Sequence, residues 1–187
     1  MKRGFTLIEV LVASSIFVVV LGMIYSSYRA GLDLWENAES TTDLESQARQ
    51  AMTFMVSELR NATRTSTQNP SPNANITSGP NLKQIDFVLP EDANGDGYIT
   101  DSNGAIEWDT NTHIQYKFIP GQHYLRRQEP GQQRVLAYNV SDVQFFDITS
   151  DATLALNEIK IVLTLSKTTP RGHTLTFTLT SVVKLRN

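Results

Sequence analysis

An α+β fold, with one long N-terminal helix packed on antiparallel β-sheet, follows from three features of this 187-residue sequence. Residues 5–28 (FTLIEVLVASSIFVVVLGMIYSSY) are almost continuously apolar. From there to about residue 62, apolar residues recur at three- and four-residue spacing, the period of a helix with one buried face. Beyond residue 82 the period switches to two, the mark of half-buried strands. The parts in order are a leader at 1–4, a membrane-spanning helix at 5–28, its amphipathic continuation at 29–62, a polar loop at 63–82 and a β-rich globular head at 83–187.

The apolar run exceeds the roughly 20 residues that an α-helix needs to cross a bilayer. Lys2 and Arg3 precede it, which keeps the N-terminus cytoplasmic and carries the head across the membrane. A cleaved secretory signal would have a shorter apolar core and an A-x-A site at its end, and neither is present. Glu9 is the anomaly. A carboxylate at the centre of a membrane helix costs about 2.5–3.5 kcal/mol on insertion scales, and less near the interface. The nearest basic residue, Arg3, is six positions back, so the helix itself offers Glu9 no evident partner.

Past Tyr28 the stripe is Leu44, Ala48, Ala51, Met52, Met55, Val56 and Leu59, with polar residues on the other faces. That stripe is expected to pack on the head's own sheet. No proline occurs before Pro70, so one helix from about Phe5 to about Ala62 would be roughly 85 Å long. Residues 63–81 are rich in Ser, Thr, Asn and Pro and read as loop. In the head, Ile85, Phe87 and Leu89 alternate, as do Ile114, Tyr116 and Phe118. Ile159 to Leu165 and Leu175 to Leu179 alternate most cleanly. Weaker strands are expected at 123–128, 134–138 and 143–148. Thr168–Gly172 supplies turn residues for a closing hairpin.

The chemistry the sequence excludes is as informative. With 16 basic and 19 acidic residues the net charge is −3, so no nucleic acid is expected as a partner. The absence of cysteine removes disulfides, thiol catalysis and cysteine metal sites. There is no phosphate-binding glycine loop and no HExxH. Glu107 and Asp109 are the only carboxylate pair worth naming for catalysis, and no enzyme activity is expected.

The stretch Lys2-Arg3-Gly4-Phe5-Thr6-Leu7-Ile8-Glu9-Val10 resembles the processing site of type IV prepilins and type II secretion pseudopilins. The resemblance implies that a prepilin peptidase cuts between Gly4 and Phe5 and that Phe5 is then N-methylated. It also implies that Glu9 serves subunit assembly. A carboxylate in a low-dielectric bundle can pair with the new Phe5 amine of a neighbouring pilin or pseudopilin subunit, and such a buried pair sets register. Gln47–Met52, Glu58-Leu59-Arg60 and the closing Thr180–Asn187 are similar to the J class of minor pseudopilins and to W-type minor pilins. That likeness implies a scarce subunit, incorporated near the filament tip to initiate assembly. Many major pilins carry a proline in the upper membrane helix, where this sequence has Gly22 and Ser26-Ser27. The alternative is a tip binding module, an adhesin or a DNA-uptake minor pilin, for which Arg126, Arg127 and Arg134 with Tyr124 are the only hint.

One loop suggests a metal. Asp92, Asn94 and Asp96 stand at the first, third and fifth positions of an EF-hand-like loop, with Gly97 at the sixth. Tyr98 would offer its carbonyl, and Asp101 or Glu107 would close the site. The twelfth position is Asn103 rather than glutamate. A structural calcium ion and a plain solvated double turn are both open, since Asn-Gly and Asp-Gly are strong turn formers.

Overall fold

The computed structural model describes residues 6–62, 75–76, 83–92, 94–108, 113–119, 121–148 and 150–185. One helix, α1 (Leu7–Leu59), spans 53 residues, about 80 Å at 1.5 Å per residue. It begins where Thr6 caps it and runs unbroken through Gly22 and Ser26-Ser27. Its last turn tightens, with the Asn61 and Ala62 amides reaching the carbonyls of Glu58 and Leu59 at 3.0 and 3.1 Å. That satisfies carbonyls the helix end would otherwise leave open.

Among the described residues eight strands follow: β1 (Asn75–Ile76), β2 (Gln84–Phe87), β3 (Ile114–Phe118), β4 (Tyr124–Glu129), β5 (Gln132–Tyr138), β6 (Val140–Phe146), β7 (Glu158–Thr168) and β8 (Thr174–Lys184). All pair antiparallel, but in two sheets: β1-β2-β3-β4-β5 and β6-β7-β8. Periodicity gives no sign of this division. Its physical cause lies at Asn139, the single residue between β5 and β6, whose φ is 57°. Asparagine tolerates the left-handed region, and one such residue turns the chain out of the first sheet. The Val140 amide bonds the His123 carbonyl at 3.0 Å, and the Ser166 amide bonds the Asn139 carbonyl at 2.7 Å. These bonds tie the corner to both sheets.

Three local expectations shift. β1 lies inside the stretch read as loop, because two residues show no period. β2 ends at Phe87, since Val88 is buried as well and the alternation fails before Leu89. β6 stops at Phe146 because buried Asp147 opens a turn, its side chain accepting from the Ser150 amide at 3.1 Å.

The core forms where α1 crosses the two sheets. Leu44, Ala48, Ala51, Met52, Met55 and Leu59 are buried from the helix. They meet β5, β7 and β8, and the inward residues of both sheets complete the cluster. Each fully buried Leu, Met or Phe contributes about 1.5–3 kcal/mol relative to exposure. Phe87 and Tyr116 pack with ring centroids 5.2 Å apart and planes tilted 45°.

Candidate functional site

The first turn of α1 answers the question that Glu9 poses. The Thr6 amide donates to Glu9 Oε2 at 2.8 Å, and the Thr6 hydroxyl donates to the same oxygen at 2.9 Å. In return the Glu9 amide donates to Thr6 Oγ1 at 3.3 Å. This is a capping box, which satisfies orphan amides of the helix start and the carboxylate together. A search of the sequence for a basic partner finds none. The signal such a search misses is the Thr-x-x-Glu spacing of Thr6 and Glu9. Gly4 and Phe5, the expected cleavage pair, lie outside the described residues.

Above that turn the helix is apolar and bare. Leu7 is 80% exposed and Phe17 62%, and none of the most apolar window is buried against the head. The Ser14 and Ser15 hydroxyls bond back to the Leu11 and Val12 carbonyls at 3.0 and 2.8 Å, so they bring no unsatisfied group into an apolar medium. By length and composition this helix can cross a membrane. Tyr25, Tyr28 and Trp35 stand exposed at and beyond the end of the run, the placement of an interfacial aromatic belt.

Below it, polar contacts fasten the helix to the head. The β7–β8 turn places Arg171 on Asp33, with Glu36 at 3.7 Å and the Arg29 carbonyl at 3.2 Å. Lys167 Nζ lies 3.2 Å from Asp43. Hydrogen bonding from Gln47, followed by Lys167, lowers the Asp43 pKa against the opposing effect of burial. The Tyr138 amide donates to Gln47 Oε1 at 3.3 Å. Furthest down, Glu58 accepts from the Tyr116 hydroxyl and from Arg127 Nε at 3.0 Å, while Arg127 also reaches Glu129 at 2.6 Å. Burial and then the Glu58 carboxylate push the Tyr116 pKa up, so the phenol stays protonated and donates.

These contacts dissolve the basic cluster that hinted at nucleic acid. Arg127 is turned inward onto Glu58, with its side chain 15% exposed. Arg134 lies over the Phe54 ring at 4.9 Å from its centroid. Arg126 points to the opposite face of the sheet, so the three do not form one basic patch.

Residues 1–25 match the prokaryotic N-terminal methylation motif, the type IV prepilin signal. The chain is 39% identical over 62 residues to the pilin-like protein PilA3 of Thermus thermophilus. That match covers 33% of this chain and 27% of the relative, so it spans well under two thirds of PilA3. No solved structure matches significantly. Over its N-terminal third the chain is thus similar to type IV pilin-like proteins. Its α+β architecture, a long apolar N-terminal helix with antiparallel sheets, is pilin-like as well.

The acidic loop of the head is wired mainly to its own backbone. Asp92 Oδ1 accepts from the Gly95 and Asp96 amides at 2.7 and 3.1 Å, and Oδ2 from Gly97 at 2.8 Å. Asp96 accepts from the Tyr98 amide at 2.8 Å. The Asn94 side-chain amide donates to Asp96 Oδ2 and to Glu107 Oε1, at 3.0 and 2.8 Å, so it bridges two carboxylates. Asp101 turns instead to the Ala105 and Asn103 amides, which lower its pKa. The donors are all oxygen, the kind a hard cation takes. Among the described residues, however, no three acidic or histidine side chains are gathered around a common point.

Proposed function

We propose that this protein is a minor pilin or minor pseudopilin of a type IV pilus or type II secretion pseudopilus. In this reading a prepilin peptidase cuts between Gly4 and Phe5, Phe5 is N-methylated, and the subunit enters the filament near its tip to initiate assembly. Before assembly it is a single-pass protein of the inner membrane, its N-terminus cytoplasmic and its head beyond the membrane. Its partners are the peptidase and other pilin or pseudopilin subunits, and its role is structural rather than catalytic.

The observation that carries this reading is the pairing of a prepilin signal with a helix whose upper half the head leaves bare. An apolar surface of that length needs lipid or other apolar helices around it. Glu9 then has two successive partners. Thr6 holds it before cleavage, and the Phe5 amine of a neighbour takes it in the filament.

Two substitutions test this. Gly4→Leu is expected to abolish maturation, read as an unshifted N-terminal mass, and normal processing of that variant refutes the cleavage assignment. Glu9→Val is expected to be processed but to co-purify poorly with neighbouring subunits, and unchanged assembly removes the pairing argument. A deletion strain separates the machines. Loss of surface pili with exoprotein secretion intact supports a minor pilin, and the converse supports a J-like pseudopilin.

For the loop from Asp92 to Asn103 we propose a structural calcium ion, held by Asp92, Asn94, Asp96, the Tyr98 carbonyl and Asp101. The support is the oxygen-only donor set and its spacing. Calorimetry should show binding that Asp92→Ala abolishes. No heat up to about millimolar calcium, the weak end of known extracellular sites, leaves the double turn alone.

A further inference from the structure

The outward face of the five-stranded sheet carries a polar row that neither α1 nor the core uses. Strand register alone assembles it: Asp86 stands opposite Gln115, Gln115 opposite Gln128, and Gln128 opposite Gln133. The row crosses β2, β3, β4 and β5 and is about 14 Å long at a strand spacing of ~4.8 Å. Alternation sends Ile85, Phe87, Ile114, Tyr116 and Leu125 into the core, so these four side chains face the other way. Gln115 Nε2 donates to Asp86 Oδ1 at 2.6 Å, and Gln84 Nε2 donates to Asp86 Oδ2 at 3.1 Å. Arg126 reaches Gln133 Oε1 at 3.4 Å. Beside the row is a cleft of about 570 Å³, bounded by His113, Glu129 and the tip of the β4–β5 hairpin.

The lining selects a ligand class by elimination. Among the described residues no lysine or arginine lines the cleft, and Arg126, which flanks the row, is turned to Gln133, so a phosphate, sulfate or nucleic acid would meet at most one counter-charge. No large apolar side chain among them lines it either, so an apolar ligand or a peptide side chain would bury nothing. What remains is a set of amides and the Asp86 carboxylate. Each glutamine amide is donor and acceptor at once, and the carboxylate is an acceptor. Sugar hydroxyls are likewise donor and acceptor, so a ring presenting several of them can satisfy both kinds of group. The Glu129 carboxylate is held by inward-turned Arg127 at 2.6 Å and does not face the row.

We propose that this row and cleft bind a neutral oligosaccharide, laid across the strands along Asp86, Gln115, Gln128 and Gln133. Asp86 accepts hydroxyl protons, and Gln128 and Gln133 both donate and accept. The site needs only the folded sheet and is independent of how the N-terminal helix is processed or assembled.

The test uses the full chain in lipid nanodiscs, because a sugar-headed detergent would compete. Maltohexaose, cellohexaose and the hexamer of N-acetylglucosamine are the probes, with a heparin hexasaccharide as the anionic control. Saturation-transfer NMR and titration are the readouts. Saturable binding of at least one neutral hexamer is expected, with none of heparin. Gln128→Ala and Gln133→Ala should each weaken it about fivefold, the equivalent of one ordinary hydrogen bond. Gln122→Ala, on an exposed turn outside the row, should leave it unchanged, and unaltered melting of all three variants excludes unfolding as the cause. The proposal is overturned if no neutral hexamer binds, if heparin alone binds, or if binding survives the double variant of Gln128 and Gln133.

Discussion

The two halves of α1 share one backbone conformation and solve opposite problems. Residues 7–28 are apolar all round and find no partner among the described residues, so Phe17 is 62% exposed. Residues 40–59 are apolar on one stripe only, and that stripe is closed by the head, so Met55 is fully buried. A helix that is apolar all round belongs inside something larger, whereas an amphipathic one belongs on the surface of its own domain. The polar contacts follow the same division. From Asp33 downward, Arg171 from the β7–β8 turn and Lys167 and Arg127 from the strands reach across to helix carboxylates.

Three substitutions sharpen that contrast. The largest effect is expected for Met55→Ala, which should destabilise the head by about 2–5 kcal/mol through lost burial and a residual cavity. Phe17→Ala should leave head stability unchanged, as measured by hydrogen exchange of β7 and β8 in nanodiscs. Equal effects of the two would erase the distinction between the halves. Next is Glu58→Gln, which removes the anion shared by Tyr116 and Arg127. A loss of about 1.5–3 kcal/mol in denaturant unfolding is expected, the range for hydrogen bonds to charged groups.

The smallest effect belongs to a pair within the head that does not touch the helix. Lys160, with help from the Thr153 hydroxyl and amide, holds the Asp151 carboxyl down to about 2. A depressed carboxylate pKa contributes stability above the unfolded value near 4 and loses it as pH falls through the folded value. The contribution should therefore hold constant across neutral pH and fade between about pH 4 and pH 2. Lys160→Met should move the Asp151 titration, followed by NMR, upward toward the ordinary aspartate range. An unmoved titration would mean that Thr153 alone sets the shift.

Much of the architecture is legible residue by residue. The long helix is visible because length and apolar content are local quantities. The clean strands β7 and β8 are visible because alternation is local too. The capping box is equally local, and it escapes only a search for a Glu9 partner that is limited to charge. The split into two sheets is not legible, because it hangs on the backbone of one residue, Asn139. The Arg cluster misleads for a related reason: adjacent strand residues point to opposite faces, so Arg126 and Arg127 never share a surface.

By itself, then, the sequence determined the membrane-length helix, the signal at its start and the strand periods, since each depends on residues within a few positions of one another. Tertiary structure alone decided which distant residues meet. Glu58 finds Tyr116 and Arg127 across 58 and 69 positions of chain, and Asp86 lines up with Gln133 through two intervening strands. Register and packing made those meetings, and neither leaves a period in the sequence to be read.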